Sequence, residues 1–273
     1  MARYTLDPAM PVLLRPDGVV QVGWDPRRAI LVRTPAGLTP AALAELLRTL
    51  QSGATLADLQ ARFEVDAGEL VASLIDAGVV TAAARRRTRC ASIRIHGRGP
   101  LSDLLAGALR CSGARVTRSS VTQAPPAHTT DLVVLSDFLV TDPRVVRDLH
   151  AAGVAHLPVR LRDGTGLVGP LVVPGVTSCL DCANLHRSDR DAAWPAVASQ
   201  LRNAVGSADR ATVLATAALA LNQIDRVIKA VRTGSAVGTS TEPPPALDTT
   251  LEFDVNAGAI MARRWSRHPR CWC

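Results

Sequence analysis

Apolar residues recur along this chain in two different rhythms. Up to about residue 83 they form short alternating runs and then helical stripes; from Ser92 onward, strand-like and helix-like stretches take turns. In the first stretch, Pro11–Gly23 reads as two short strands around the turn residues Pro16, Asp17 and Gly18, and Ala29–Val32 reads as a third. Three helices are predicted next. The first is capped by Thr39 with Pro40 at its first position and stops near Gly53. The second starts at Thr55, with Leu56, Leu59 and Phe63 on one face. The third starts at Asp66, turns Leu70, Leu74 and Ile75 inward and ends at Gly78. Val79 and Val80 read as a closing strand. Residues 1–83 are therefore expected to form a small winged-helix-like α+β domain, and the arginine-rich residues 84–91 a linker.

In the second stretch, Ile93–His96 is a predicted strand, followed by a Gly97-Arg98-Gly99 turn and a helix over Leu101–Cys111. Strands follow at Arg115–Thr117, Asp131–Ser136 and His156–Leu161. Asp142 caps a helix between the last two, and the intervening loop runs from Gln123 to Thr130. A long helix over about 209–232, a loop containing Ser240 and Pro243–Pro245, and a late strand at Leu251–Val255 complete the pattern. Such alternation predicts a Rossmann-like, mostly parallel α/β sheet with right-handed crossovers in residues 92–273.

Composition narrows the function classes. The chain has 273 residues, of which 47% are hydrophobic, so it can bury a sizeable core. No stretch approaches the roughly 20 apolar residues of a membrane span, and the start of the chain lacks an apolar run of signal-peptide length; a cytoplasmic location is expected. The net charge is +7, but the basic run is confined to Arg85–Arg89 and aromatics are few. The third helix carries Asp66, Glu69 and Asp76 and no basic residue, which suits neither phosphate contacts nor base stacking, so no nucleic-acid partner is expected.

Of six cysteines, four stand as two close pairs, Cys179-Leu180-Asp181-Cys182 and Cys271-Trp272-Cys273. Each pair can supply half of a sulfur tetrahedron, and four thiolates leave no open position for water, so a structural zinc is expected. A thioredoxin-like redox Cys-x-x-Cys pair would stand at a helix start in a thioredoxin-type pattern, whereas this one follows a Pro174–Ser178 loop. His186 and His268 lie close enough in sequence to substitute for a thiol. Cys90 has no partner at ligand spacing, and Cys111 reads as a small core residue.

The Gly97–Gly99 turn stands where α/β folds bind phosphates. Ser102 replaces the third glycine of the dinucleotide pattern, Pro100 removes a donor, and Ser119 and Ser120 stand where a ribose-binding acid would be. Gly97, Gly99 and Asp137, just past the buried strand, are the candidates for a remnant nucleotide site, and Gly107 reads as a helix-packing glycine. Asp189, Arg190 and Asp191 read as a locally paired turn anchored by Trp194 and Pro195. No nucleophile with an evident base is found, so no catalytic residue is assigned.

The order of these features is a glycine turn, an Asp-Leu-Val-Val-Leu strand, Pro174-Gly175 leading to Cys179 and Cys182, a long helix, Leu251-Glu252-Phe253-Asp254, then His268-Pro269 with Cys271 and Cys273. Over residues 92–273 this resembles the ThiF/MoeB-type superfamily, related to ubiquitin-activating enzymes. It is most similar to the ThiF-like proteins of bacteriocin and thiazole/oxazole-modified peptide biosynthesis, often labelled cyclodehydratase. Residues 1–83 are similar to the PqqD-like peptide-clamp domains that precede them. The resemblance implies zinc at the four cysteines, homodimers, and a precursor leader peptide added as a strand beside the third helix. It also implies that ring formation belongs to a YcaO-type partner. The expected function is thus a non-catalytic peptide-binding scaffold that recruits or activates a partner cyclodehydratase. The alternative is an ATP- and magnesium-dependent adenylyltransferase acting on a carboxylate. The glycine-rich turn, acid and arginine of competent adenylating members are matched here only by Gly97 and Gly99.

Overall fold

Helix formation in the N-terminal stretch follows directly from its caps. The computed structural model describes residues 2–83, 89–119, 129–238 and 243–273. In α1 (Pro40–Gln51) the Thr39 hydroxyl accepts the Ala42 N–H at 3.1 Å, and Leu43, Leu46, Leu47 and Leu50 fall on one fully buried stripe. Burying four leucines is worth on the order of 2 kcal/mol each before the cost of ordering the chain. In α2 (Leu56–Phe63) the Thr55 and Asp58 side chains cap each other's backbone. The third helix, α3 (Gly68–Asp76), begins two residues later than expected. Asp66 closes a turn on the Gly68 N–H instead of starting the helix. Its inward residues are Val71 and Leu74, while Leu70 is half-buried and Ile75 is exposed.

These helices pack with an antiparallel meander of β2 (Val12–Leu14), β3 (Val20–Val22) and β4 (Ile30–Val32). A pair of strands that hydropathy did not reveal in full, β1 (Arg3–Leu6) against β5 (Val80–Ala83), joins the two ends of this unit, which spans Met1–Arg87.

The second unit, Thr88–Cys273, holds a seven-stranded sheet. Its strands are β6 (Ser92–His96), β7 (Arg115–Ser119), β8 (Leu132–Ser136), β9 (His156–Arg162), β10 (Thr165–Val168), β11 (Thr249–Asp254) and β12 (Ala259–Arg264), in spatial order β12-β11-β10-β9-β8-β6-β7. Strands β7, β6, β8 and β9 are parallel, and β10, β11 and β12 extend them antiparallel in turn, so β11 again runs with the first four. The result is the Rossmann-like, mostly parallel α/β sheet. Two layers of helices cover it. On one face, α4 (Pro100–Leu109) and α8 (Arg210–Thr233) pack on Ile93, Ile95, Leu132, Val134, Leu157 and Val159. On the other, α5 (Pro143–Ala151) and α6 (Leu180–Arg190) meet Val133 and Leu135. β8 is buried on both faces, which is why its sequence is an unbroken apolar run. The alanine-rich α8 lies so close to β10 that a Cβ on Gly166 would meet the Thr216 hydroxyl at 1.9 Å.

α6 and α7 (Trp194–Leu201) were not marked by periodicity. Gly107 is not a packing glycine, because a Cβ there would touch nothing within 4 Å. Cys111 is exposed beyond the end of α4, not part of the core, and Cys90 is exposed too. Arg85–Thr88, Ser120, Ser240 and most of the Gln123–Thr130 loop lie outside the described residues.

His156 on β9 is fully buried. Its Nδ1 lies 3.0 Å from the Val154 carbonyl and its Nε2 has no partner among the described residues. Burial pulls its pKa from 6.5 down to about 4. Between those values only the unfolded chain takes the proton, so stability falls as pH drops from about 6.5 to about 4, by at most about 3 kcal/mol. Urea unfolding of wild type and His156→Leu at pH 7.5 and 4.5 should show the wild type losing that much more than the variant. Equal losses would remove His156 as the acid-sensitive group.

Candidate functional site

Cys179 is the N-cap residue of α6. Its Sγ accepts the Cys182 N–H at 3.4 Å, so the Cys-x-x-Cys pair does stand at a helix start, contrary to the loop reading. The preceding residue is held by Asp248, whose carboxylate accepts the Ser178 N–H at 2.6 Å and its hydroxyl at 2.7 Å. The terminal pair arrives from the other side. Cys271 Sγ lies 3.5 Å from Cys179 Sγ, and Cys273 Sγ lies 3.4 Å from Cys182 Sγ. The two α6 sulfurs are 3.8 Å apart. All four sulfurs are within 4.8 Å of one another and none is in a disulfide. Sulfurs about 2.3 Å from a tetrahedral zinc stand about 3.8 Å apart, so the cluster is close to the spacing such a metal requires and could bind one. It is seated among Val133, Leu135, Val145 and Leu149, and burial pushes the Cys179 thiol far above its usual range. A thiolate at that depth needs a cation beside it.

His186 and His268 do not enter the thiol cluster. They form a second group with Asp189, in which each ligand atom has a protein partner. His268 Nε2–H donates to Asp189 at 2.7 Å while its Nδ1 accepts the Arg270 N–H at 3.1 Å, and His186 Nε2 lies 3.1 Å from the Ser266 carbonyl. The His268 hydrogen bond, with Arg270 adding its charge, holds the Asp189 carboxyl below the usual carboxylate range. Asp189 is therefore paired across 79 residues of sequence and not within a local turn. Thiols at one end of α6 and this carboxylate at the other fasten the last residues of the chain along the helix.

At the glycine turn, β6 and β8 are neighbours and their connections leave in opposite directions, so the turn lies at the switch point of the sheet. The approach is close. A Cβ on Gly97 would stand 2.2 Å from the Ser136 carbonyl, and one on Gly99 would stand 2.6 Å from Asp137 Oδ1. Asp137 is 2% exposed. Its carboxylate accepts the Leu101 N–H at 2.9 Å, the Ser102 N–H at 3.1 Å and the Ser102 hydroxyl. An internal anion thus sits on the N-terminus of α4, where a phosphate oxygen would otherwise be. Ser102, read from the sequence only as a missing glycine, is the residue that completes this seat.

In the first unit, β4 pairs with β3 on one side only among the described residues. Between β4 and α3 runs a groove of about 440 Å3 lined by Leu31, Arg33, Asp66, Glu69 and Ser73. Leu31 is 59% exposed on this edge.

No family model and no curated protein matches the chain. Among solved structures it is similar to the heterocyclase TruD (18% identical, TM-score 0.67, covering 100% of this chain and 42% of that one). It is also similar to a heterocyclase in complex with substrate and cofactor (17%, 0.67, 98% and 39%). A third similar structure is E. coli MccB with MccA (12%, 0.60, 98% of each chain). The chain spans about two fifths of the length of the two heterocyclases. At these identities the likeness speaks to the fold alone, and it covers nearly the whole chain: this chain shares its fold with TruD and MccB.

Proposed function

We propose that this chain is a zinc-stapled, non-catalytic scaffold of ribosomal-peptide modification, which binds a precursor leader peptide and recruits or activates a cyclodehydratase partner of YcaO type. The observation that carries the reading is the seat of Asp137. With a buried carboxylate already on the α4 N-terminus, a nucleotide phosphate would meet a negative charge and find its donors taken. The open β4 edge beside α3 supports the peptide half, since an extended segment can add backbone hydrogen bonds there and set side chains into the groove. Neighbours of this fold include heterocyclases and the microcin C7 biosynthetic enzyme MccB. Cys179, Cys182, Cys271 and Cys273 would hold the zinc in a closed shell, where it supplies a cross-link and no chemistry. Homodimers and a cytoplasmic location, in keeping with unpaired thiols, belong to the same reading. No described helix is long and apolar enough to cross a membrane.

The first step is to establish whether a short peptide gene lies beside this one; the N-terminal segment of such a peptide, labelled for fluorescence anisotropy, is the probe. Leu31→Lys is expected to weaken binding about tenfold or more, the loss of one well-packed apolar anchor. Leu14→Lys, on the opposite edge strand β2, should leave it unchanged. Equal affinities in the two variants would remove the β4 edge as the docking site. The competing adenylyltransferase reading requires ATP–pyrophosphate exchange by the purified chain with magnesium and peptide; such exchange would replace the scaffold assignment.

A further inference from the structure

The α5/α6 face holds a cavity of about 260 Å3 past the carboxyl end of β8 and alongside β9. Its polar lining is dominated by donors. Arg160 lies on the face of β9 opposite Leu157, Val159 and Leu161, which pack in the core on the α4/α8 side, and it donates to the Leu139 carbonyl at 3.1 Å. Arg187 of α6 lies between two indoles, 5.2 Å from the Trp194 ring and 5.0 Å from the Trp265 ring, with one bond to Asn184 at 3.3 Å. Neither guanidinium has a carboxylate within 4 Å among the described residues. The nearby buried Glu252 is shared by Arg162 and Arg263, and Asp163 on the rim is exposed and pairs with neither. The Trp194 Nε1–H is buried and has no acceptor among the described residues.

The geometry points to a binding site for an oxyanion, a phosphate or carboxylate group borne on a small, partly apolar ligand, held by Arg160 and Arg187 with the Trp194 indole as third donor. Two guanidiniums lining one cavity repel each other and lose hydration, and among the described residues only neutral groups bond to them, a carbonyl to Arg160 and an amide and two indoles to Arg187. Burial and the neighbouring positive charges pull Arg160 down to about 9 and Arg187 to about 10. The oxyanion would accept from both guanidiniums and neutralise them, while Leu139, Val146 and Leu180 would contact the ligand's apolar body. This inference is independent of the peptide reading, because the cavity lies wholly within the second unit.

The test titrates the full-length chain, purified in a chloride buffer, with inorganic phosphate, sulfate and benzoate, reading tryptophan fluorescence and the unfolding temperature. At least one anion is expected to bind saturably in the millimolar range or tighter and to raise the unfolding temperature. Preference for phosphate over benzoate assigns a phosphorylated ligand, and the reverse a carboxylate. Arg187→Gln should weaken that binding about tenfold or more. Arg187→Lys keeps the charge but loses the fork and stacking, so it should weaken binding by less; it also covers the case in which the glutamine variant does not fold. Arg110→Gln, on the exposed end of α4, should bind as wild type. Absence of saturable binding to all three anions, or unchanged affinity in a folded Arg187 variant, would overturn the assignment.

Discussion

Replacing Cys271 and Cys273 together with serine is expected to bring the zinc content of the purified chain close to zero and to destabilise the C-terminal unit by several kcal/mol. Two sulfurs on α6 cannot close a tetrahedron alone, and metal affinity falls steeply when half the shell is lost. Binding energy at a structural zinc is folding energy, of the order of 10 kcal/mol in small zinc peptides. Here the sheet has its own core, so only part of that sum is lost. The loss falls on the tail, whose other attachments include the His268–Asp189–Arg270 seam, the Arg267 bond to the Gly175 carbonyl at 2.8 Å and the Trp265 Nε1–H bond to the Thr250 hydroxyl at 2.9 Å. The thiols left behind would be buried without a cation, which favours their neutral form. Elemental analysis together with urea unfolding decides the matter. Full metal occupancy in the double variant would sink the assignment, and loss of metal with unchanged stability would show that the site does not staple the unit.

Asp137→Ala is expected to cost about 3–5 kcal/mol, because it strands three donors at once. The Leu101 and Ser102 N–H groups and the Ser102 hydroxyl lie at a buried helix end, and each unpaired buried donor costs about 1–3 kcal/mol. Ser136, whose hydroxyl is 2.9 Å from that of Ser102, can recover one of them, which limits the sum. The measurement is equilibrium unfolding of the variant beside Asp137→Asn, which keeps one acceptor oxygen and should lose less. A wild-type unfolding midpoint for the alanine variant would mean that the carboxylate does not satisfy the helix, and the argument that it displaces a phosphate would lose its basis.

The elements that sequence pattern located best are those whose local chemistry and burial agree. Thr39 with Pro40, and Thr55 with Asp58, start α1 and α2 because their caps act within three residues of themselves. β8 and α8 were legible because central strands and long buried helices carry unbroken or periodic apolar runs. α6 was missed for the converse reason: its apolar residues are few, and its N-cap is a cysteine, which lacks the oxygen of the usual capping residues. β12 is almost wholly exposed, and its Ala-Ile-Met-Ala run does not alternate with polar residues, so its pairing with β11 left no period-two signature.

The site residues divide along the same line. Spacing alone singled out the four thiols, since ligand pairs two and three residues apart are close in any fold, and it required only that the chain bring the pairs together. The glycines at 97 and 99 were likewise visible, because a tight strand-to-helix turn demands them locally. What only the tertiary structure decided is what faces these groups. The carboxylate of Asp137 reaches across 36 residues to occupy the α4 N-terminus, Asp189 turns to the tail instead of to its neighbours, and Arg160 and Arg187 line one cavity with no carboxylate paired to either among the described residues. Charges act through space over a few ångströms, and a sequence records neighbours along the chain; which charge faces which is settled when the sheet brings distant segments side by side.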